Sequence, residues 1–303
     1  MDAHIIYNPT SGIRKQRYKL EQLQAALAGA GYTPYHHPTT CEQDLDAILE
    51  TAQGLVVAAG GDGTIRAVAD RVLGGRVPLV IVPMGTANNI ARTLGIQDIK
   101  PGDLSGLAAP QKRTFDVGRM RAPWGNDIFL EGAGYGFFAD LLSAYDPGQG
   151  KSLLRGLATL MGQARTWQSY PCRMVLDGTE VTGDFALVEV MNTRAIGPRL
   201  HLAPAADPCD GLLDVALVQR EEIERLAPLL LRGVAGTLDR LPGVQYRQVQ
   251  KLQLAWSGFP LHVDAEIRPA VGWTSPAFGE VTIEVLPHAL ELWLPSTHAG
   301  QPV

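Results

Sequence analysis

Five consecutive residues, Gly60-Gly61-Asp62-Gly63-Thr64, give the strongest indication of chemistry in this sequence. They follow an apolar run at 55–59, which is typical of a buried parallel strand, and precede apolar residues that recur at helical spacing. Where a strand passes into a helix, backbone N–H groups and the positive end of the helix dipole can receive a phosphate. Asp62 adds a carboxylate that can face a metal ion or orient the loop. The alternative is a tight turn in which Asp62 or Thr64 caps the helix.

Three other polar residues stand at similar places. Asn8 ends the first predicted strand, Thr40 follows the second, and Thr86 lies in the turn after the strand at 78–82. Because ligands of parallel α/β sheets bind at the carboxyl ends of the strands, these side chains are candidates for contact with phosphate or ribose. Asn8 and Thr40 are equally suited to ordinary turn or helix-capping roles, and the sequence leaves both roles open.

The first third of the chain alternates strand and helix signals. The predicted strands are 3–8, 32–37, 55–59 and 78–82, and the predicted helices are 14–30, 42–52, the stretch after Gly63, and 87–94. Repeated units of this kind imply a parallel sheet that is covered on both faces.

After about residue 115 the pattern changes to strands with few helices. The predicted strands are 126–130, 173–176, 186–191, 213–218, 249–256 and 281–286, with helical segments near 151–168 and 221–240 and a final strand at 287–295. We therefore predict an α/β plus β fold. A Rossmann-like α/β domain with a parallel sheet takes residues 1–115 and the tail at about 287–303, and a mainly antiparallel β-sandwich domain takes 116–286.

Composition narrows the classes of partner. The 303 residues carry a formal net charge of −5, which argues against nucleic acid because backbone binding needs clustered Lys and Arg. The longest uncharged stretch, 77–91, is too short and too interrupted by proline and glycine to span a bilayer. Three widely spaced cysteines and the lack of a signal-peptide pattern lead us to expect a cytoplasmic protein with reduced thiols.

The motif at 60–64 resembles the signature of diacylglycerol-kinase-type lipid kinases and of the related NAD kinases. The loop Pro83-Met84-Gly85-Thr86-Ala87-Asn88-Asn89 resembles the P-x-G-T-x-N-D loop of bacterial diacylglycerol-kinase-like lipid kinases, with Asn89 where that family often has Asp. Further similar segments are 115–118, 131–137, 207–215, 261–266 and 284–290, so the resemblance extends over nearly the whole chain.

This resemblance implies an ATP-dependent lipid kinase that uses Mg²⁺ and transfers the γ-phosphate to a lipid hydroxyl. The residues expected to bind ATP are Asn8, Thr40, Gly60, Gly61, Asp62, Gly63, Thr64, Ile65, Arg66 and Thr86. Asp62 is also a candidate catalytic residue.

The segment 261–266 resembles the family's D-G-E segment, in which a carboxylate is the proposed general base. We expect Glu266 to be the base, with Asp264 as the other candidate, and we expect the two to share one face of an extended strand. Ala265 replaces the usual glycine, so a positive φ there is less comfortable and we expect a turn of different shape.

The segment 207–215 resembles one that holds a structural Mg²⁺ in the family. The implied ligands are Asp207, Asp210 and the carbonyl of Leu212, an all-oxygen set that suits a hard cation. The alternative is an Asp-Gly hairpin turn with solvated carboxylates.

Two other functions stay open. One is a kinase with a soluble substrate, such as an NAD kinase. The other is a non-catalytic nucleotide- or lipid-binding regulator, which Asn89 and Ala265 motivate. For the lipid kinase we expect a peripheral, transient contact with the membrane surface. The segment 151–170 is either a lip that meets lipid or an amphipathic helix that packs on the β domain. The sequence leaves open which lipid is the acceptor, and whether the chain forms a homodimer.

Overall fold

The computed structural model describes residues 1–9, 18–39, 41–74, 77–144, 168–222, 243–270, 272–274 and 278–296. The chain divides into two compact units, Met1–Asp116 with Pro287–Val303, and Val117–Leu286. Two strands, Gln111–Ala122 and Gly279–Leu294, each contribute residues to both units.

The first unit alternates strands and helices. Its elements are β1 (Asp2–Tyr7), α1 (Leu20–Gly29), β2 (Thr33–His37), α2 (Asp44–Glu50), β3 (Leu55–Gly60), α3 (Asp62–Val72), β4 (Leu79–Pro83), α4 (Asn89–Thr93) and a 3₁₀ helix (Pro101–Ala108).

The sheet of this unit is parallel, in the order β2-β1-β3-β4, with the strand Gly279–Leu294 beside β4. All six residues of β3 are buried, as expected of a parallel strand that is covered on both faces. Helix α3 buries one face, which consists of Ile65, Val68, Ala69 and Val72. This pairing places the carboxyl ends of β1, β3 and β4 next to one another at one edge of the sheet.

The second unit consists mainly of strands. Its elements in chain order, with the two shared strands, are β5 (Gln111–Ala122), β6 (Gly125–Phe129), β7 (Gly132–Gly136), α5 (Phe137–Ala144), β8 (Tyr170–Leu176), β9 (Thr179–Met191), β10 (Ala195–Ile196), β11 (Leu200–His201), β12 (Leu213–Gln219), a 3₁₀ helix (Arg220–Glu222), β13 (Val244–Val249), β14 (Lys251–Trp256), β15 (Leu261–Val263), β16 (Glu266–Arg268) and β17 (Gly279–Leu294).

Strands of the second unit pair in antiparallel fashion, along the path β16-β15-β7-β9-β8-β14-β17. Strand β12 pairs with β9 on one side and with β13 on the other. One face of this sheet covers a large apolar cluster that includes Tyr135, Phe185 and Trp256, and a smaller cluster that includes Phe138 and Leu200 lies apart from it.

The predicted fold class, a parallel α/β part followed by an antiparallel β part, is confirmed. Two strand predictions were wrong. The stretch 249–256 contains the last residue of β13 and all of β14, with Gln250 between them. The strands predicted separately at 281–286 and 287–295 form the single strand β17. The helical segments predicted near 151–168 and 221–240 lie almost wholly outside the described residues. Within the part of the chain that the structure describes, no helix has the length and apolar character needed to cross a membrane.

Candidate functional site

The glycine-rich motif forms the start of α3. Gly61 is the N-cap, with extended backbone at φ −86° and ψ 178°, and the helix begins at Asp62, two residues before the predicted start. The first N–H that bonds within this turn is that of Ile65, which donates to the Gly61 carbonyl at 3.0 Å. Helix geometry gives the N–H groups of Gly63 and Thr64 no partner within the helix, so backbone donors lie at the carboxyl end of β3.

The glycines of this region have different structural roles. A Cβ on Gly60 would lie 2.5 Å from the Thr64 side chain, and a Cβ on Gly85 would lie 2.8 Å from the Gly61 Cα atom. These two glycines are therefore required by packing. A Cβ on Gly63 would meet no atom of the described residues within 4 Å, so with respect to them this glycine faces open space at the helix start. The protein's own packing does not require it, whereas an anion that approaches the first turn would.

Hydrogen bonds connect three strand ends around this turn. The Asn8 side chain, after β1, donates to the Thr64 hydroxyl at 3.1 Å. The Asp62 carboxylate accepts the N–H of Ile90, at the start of α4, at 3.4 Å. The Met84 N–H, after β4, donates to the Gly60 carbonyl at 2.7 Å. The structure thus brings together most of the predicted nucleotide-binding residues.

The remaining predicted nucleotide contacts differ in what they can offer. Thr86 is exposed in the loop after β4, and Arg66 is partly buried one helical turn into α3. The side chain of Ile65 is fully buried in the core and its N–H already bonds Gly61, so this residue presents no polar group to a ligand. Thr40 lies outside the described residues.

The loop after β4 ends in two buried amides. Asn88 takes a left-handed backbone at φ 52° and its side-chain amide donates to the Gly85 carbonyl at 3.0 Å. Asn89, which stands where the resembling family often has Asp, is 1% exposed. The loop is therefore closed by its own side chains, and the amide at 89 is enclosed by protein.

The two candidate bases lie on a tight hairpin, and not on one extended strand. Strands β15 and β16 pair so that Val263 lies opposite Glu266, which leaves Asp264 and Ala265 as a two-residue turn. Both turn residues have positive φ, 44° and 66°, the pattern of a type I′ turn. The prediction that Asp264 and Glu266 share a strand face is therefore wrong. Ala265 adopts the left-handed conformation in spite of its side chain.

The two carboxylates have different surroundings. Asp264 accepts backbone N–H groups from Leu130 at 2.8 Å, Glu131 at 2.8 Å and Gly132 at 3.1 Å, so its position is fixed and its charge is well stabilised. The Glu266 side chain is 57% exposed and accepts a hydrogen bond at 3.0 Å from Arg268, which also binds Asp127. Glu266 is the more exposed of the two, whereas Asp264 is partly buried.

The predicted metal segment forms turns that are closed by its own carboxylates. Asp207 accepts the N–H of Cys209 at 3.1 Å, and Asp210 accepts the N–H of Leu212 at 2.9 Å. Next to them, burial raises the pKa of Asp214 to about 6; a hydrogen bond from Gln248 lowers it, and the charges of Asp210 and Asp207 raise it. Among the described residues, no group of three or more His, Cys, Asp or Glu side chains is arranged to hold a metal ion.

Sequence reasoning missed the anchoring role of Asp116. This fully buried carboxylate accepts the backbone N–H of His288 at 2.7 Å, at a point where His288 has φ 54°. Both residues belong to the first unit, so Asp116 fixes the path of β17 beside the parallel sheet. The segment 115–118 is recognisable in the sequence only by its resemblance to the family, with no strand predicted there, whereas the structure places Asp116 within β5.

Comparison with known proteins identifies the family of this chain. The model of the diacylglycerol kinase catalytic domain matches residues 2–120, and that of the YegS C-terminal NAD kinase β-sandwich-like domain matches 151–294. A diacylglycerol kinase of Bacillus subtilis (strain 168) is 34% identical over 249 residues, which cover 76% of this chain and 79% of the relative. This chain belongs to the diacylglycerol kinase family.

Other relatives in this family are more distant. A diacylglycerol kinase of Mycobacterium tuberculosis (strain H37Rv) is 28% identical over 212 residues, covering 68% of this chain and 69% of the relative. One of Staphylococcus aureus (strain MRSA252) is 26% identical over 276 residues, covering 87% and 85%. These matches support a kinase of the diacylglycerol kinase type.

Solved structures share the fold. A crystal structure of a diacylglycerol kinase from Bacillus anthracis strain Sterne superposes with a TM-score of 0.67 at 19% identity and covers 98% of both chains. A second structure from that organism gives a TM-score of 0.71 at 20% identity and covers 98% of this chain and 97% of the other. At these identities the likeness shows the fold alone.

Proposed function

We propose that this protein is an ATP-dependent lipid kinase that phosphorylates the hydroxyl of diacylglycerol or a related lipid. The observation that carries the proposal is the open, glycine-lined first turn of α3 at the carboxyl end of β3, in a chain of the diacylglycerol kinase family. The lipid acceptor is proposed from the names of the relatives.

The nucleotide phosphates would bind the N–H groups at 62–64. These donors and the positive end of the α3 dipole favour an anion, and Gly63 leaves room for it. Asn8 and Thr64, which hydrogen-bond each other, would contact the phosphates or ribose through the same polar groups, and Thr86 would do so from the neighbouring loop. Of the proposed ATP contacts, Gly60 and Gly61 would act through backbone alone.

The acceptor hydroxyl would be deprotonated by Glu266. Its oxygen would attack the γ-phosphorus, the bond from that phosphorus to the β–γ bridging oxygen would break, ADP would leave, and the proton would pass to the Glu266 carboxylate. Asp264 would hold the hairpin in place, because its oxygens already bind three backbone N–H groups. Phosphoryl transfer needs mainly positioning and charge neutralisation, which these residues can supply.

Two magnesium roles are proposed. Mg²⁺ bound with ATP would neutralise phosphate charge, and the Asp62 carboxylate is an oxygen donor of the type that this ion prefers. A second, structural Mg²⁺ would bind Asp207, Asp210 and the Leu212 carbonyl. Asp207 and Asp210 each accept a backbone N–H, and Asp210 also accepts the Gln248 side-chain amide at 3.4 Å, so an ion would compete with these donors for an oxygen set of the right kind.

The same proposal sets the expected location. An enzyme whose acceptor is a membrane lipid works at a membrane surface, and we propose a cytoplasmic protein that makes a transient peripheral contact. The segment 151–170, for which a lipid-facing lip was one of two predicted roles, lies almost wholly outside the described residues.

The direct test is transfer of labelled γ-phosphate from ATP, with Mg²⁺, to a panel of lipids and, in a separate arm, to NAD. The proposal predicts a labelled lipid with the wild type and none with Asp62→Asn, which keeps the acceptor for the Ile90 N–H while removing the charge. Labelled NAD phosphate would instead support the soluble-substrate kinase. ATP binding with no transfer to any acceptor would support a non-catalytic regulator.

A further inference from the structure

The second unit contains one fully buried ionisable pair that the proposed reaction does not use. Glu189 on β9 and His262 on β15 are both 0% exposed. The Nε2 atom of His262 lies 3.0 Å and 2.9 Å from the two carboxylate oxygens of Glu189. Burying two ionisable groups is costly, so their retention in a sheet interior calls for a role.

These two residues are on strands that are not neighbours. Strand β7 lies between β9 and β15, and Gly134 of β7 pairs with Glu189 on one side and with His262 on the other. A Cβ on Gly134 would lie 2.6 Å from a Glu189 carboxylate oxygen. The absence of a side chain at 134 therefore leaves the space through which Glu189 reaches across β7 to His262.

The glycines of β7 also explain why the hydrogen bond between Glu189 and His262 is important for the position of β15. Successive residues of a strand face opposite sides, so Gly132, Gly134 and Gly136 share one face of β7. Side-chain pairs between neighbouring strands help fix the register of those strands. On this face β7 has no side chains, so β15 forms no such pair with it. The Glu189–His262 hydrogen bond supplies a directional contact in their place.

Strand β15 needs such a contact because it is short and carries the catalytic hairpin. It has three residues, Leu261–Val263, and the next residue is Asp264. On its other face Leu261 and Val263 pack in the apolar cluster, which holds the strand without directional bonds. A shift of β15 along β7 would break the three hydrogen bonds to Asp264 and move Glu266 with them.

The surroundings of the pair are apolar and lack a second polar partner. The ring of Phe138 on α5 meets the His262 ring edge to face, with centroids 4.8 Å apart. No described residue hydrogen-bonds the other ring nitrogen, Nδ1. Burial raises the pKa of Glu189, and His262 opposes that rise. With no other polar contact, the orientation of the His262 ring depends on Glu189.

We propose that Glu189 and His262 are positioning residues that hold β15 in register, and thereby hold the Asp264–Glu266 hairpin in its catalytic position. The proposal rests on the proposed function, in which this hairpin provides the base. It predicts that replacing the pair lowers kcat more than the accompanying loss of stability can explain.

The test separates these two effects with a double variant. Removing one partner leaves the other buried and unpaired, whereas replacing both by apolar residues is often tolerated by the fold. We therefore compare Glu189→Leu/His262→Leu with the wild type for thermal stability, kcat and KM for ATP. We expect a folded protein with kcat at least about tenfold lower, because a misplacement of about 1 Å can cost about 10²-fold, and with little change in KM for ATP. His262→Gln, whose amide can still donate to Glu189, should recover most of the lost kcat.

Tyr135→Phe is the matched control. The Tyr135 hydroxyl makes a partly buried contact of 2.6 Å with Cys172, from the same strand β7 but on the opposite face. Its loss should lower stability without a comparable loss of kcat. A kcat loss in the double variant no greater than that of this control would overturn the proposal, as would failure of His262→Gln to recover activity.

Amide hydrogen exchange provides a readout that needs no activity. The N–H groups of 130–132 are protected by Asp264, so the double variant should exchange them faster than the Tyr135→Phe control does. If the wild type transfers no phosphate to any lipid, the proposed function fails. The exchange measurement then tests by itself whether Glu189 and His262 hold the hairpin in place. Unchanged exchange at 130–132 would show that the pair does not hold the hairpin.

Discussion

Gly63→Ala should separate the stability of this protein from its use of ATP. Gly63 lies in the first turn of α3, and a Cβ added there would meet no atom within 4 Å in the part of the chain that the structure describes. In a helix the Cβ points toward the N-terminus, which here is the direction from which a phosphate would approach the N–H groups. The added methyl group should therefore leave the fold intact and obstruct the ligand.

The substitution is expected to raise the stability of the protein and to lower its kcat/KM for ATP. Replacing glycine by alanine within a helix stabilises by about 0.5–1 kcal/mol, less near an end, which corresponds to a rise in Tm of roughly 1–3 °C for a chain of this size. A phosphate that must move by about 1 Å from its donors should cost about 10²-fold in kcat/KM for ATP. The variant should thus be slightly more stable and nearly inactive.

Gly29→Ala is the matched control. Gly29 is the last residue of α1, and a Cβ there also meets nothing within 4 Å, so the change adds the same methyl group to a helix away from the candidate site. It should raise Tm slightly and leave kinetics unchanged. The assay is differential scanning fluorimetry with steady-state kinetics against ATP concentration. If Gly63→Ala is folded and keeps kcat/KM for ATP within about threefold of the wild type, the phosphate does not bind at this turn.

Three further predictions follow from the described contacts. Asp62→Asn and Asp62→Ala should both lose turnover. Only the alanine variant should also lose about 0.5–1.5 kcal/mol of stability in urea unfolding, because it alone removes the acceptor for the Ile90 N–H. Equal stabilities of the two variants would refute that contact. Ala265→Gly should raise the free energy of unfolding by about 0.5–1 kcal/mol, because glycine adopts a φ of 66° without strain; a loss of stability would contradict the turn geometry. Burial raises the pKa of Asp140 from its ordinary 3.8, so the folded protein binds the carboxyl proton more tightly than the unfolded chain does. This proton therefore stabilises the fold below pH 3.8, and its contribution is lost as the pH rises through the pKa of the folded state. Asp140→Asn should therefore be more stable than the wild type at pH 7 by thermal unfolding, with the gain shrinking toward pH 4, and a gain independent of pH would refute the cause.

Local patterns sufficed to predict the strand and the helix that flank the glycine-rich motif. Strand β3 is a continuous apolar run, and α3 places its apolar residues at helical spacing, so both elements follow from periodicity. The start of α3 was misplaced by two residues because glycine is a poor helix former, and only the N-cap geometry of Gly61 shows that Asp62 already lies in the helix.

The geometry of the β unit depends on contacts between distant residues. The stretch 249–256 reads as one strand, yet it breaks at Gln250, where Asp177 accepts the N–H groups of Gln250 and Lys251 at 2.9 Å and 2.8 Å. A local sequence pattern cannot predict this contact, because Asp177 lies more than seventy residues from Gln250 and Lys251.

The hairpin at 264–265 was hidden for a related reason. A type I′ turn is usually signalled by Asn-Gly or Asp-Gly, and here the second residue is alanine. The turn is held by the N–H groups of 130–132, which lie more than a hundred residues away and contribute through backbone alone. Glu189, an acidic residue within an otherwise apolar strand, was the one available signal of the buried pair, but its partner could not be read from spacing.

The most direct test of the central claim is to measure ADP and phosphorylated lipid together. Purified protein would be incubated with ATP, Mg²⁺ and diacylglycerol in detergent micelles, with Glu266→Gln in parallel, and both products quantified by mass spectrometry. A lipid kinase with Glu266 as its base predicts one phosphorylated lipid for each ADP formed by the wild type, and neither product above background with the variant. ADP formed without phosphorylated lipid, or full activity of Glu266→Gln, would contradict it.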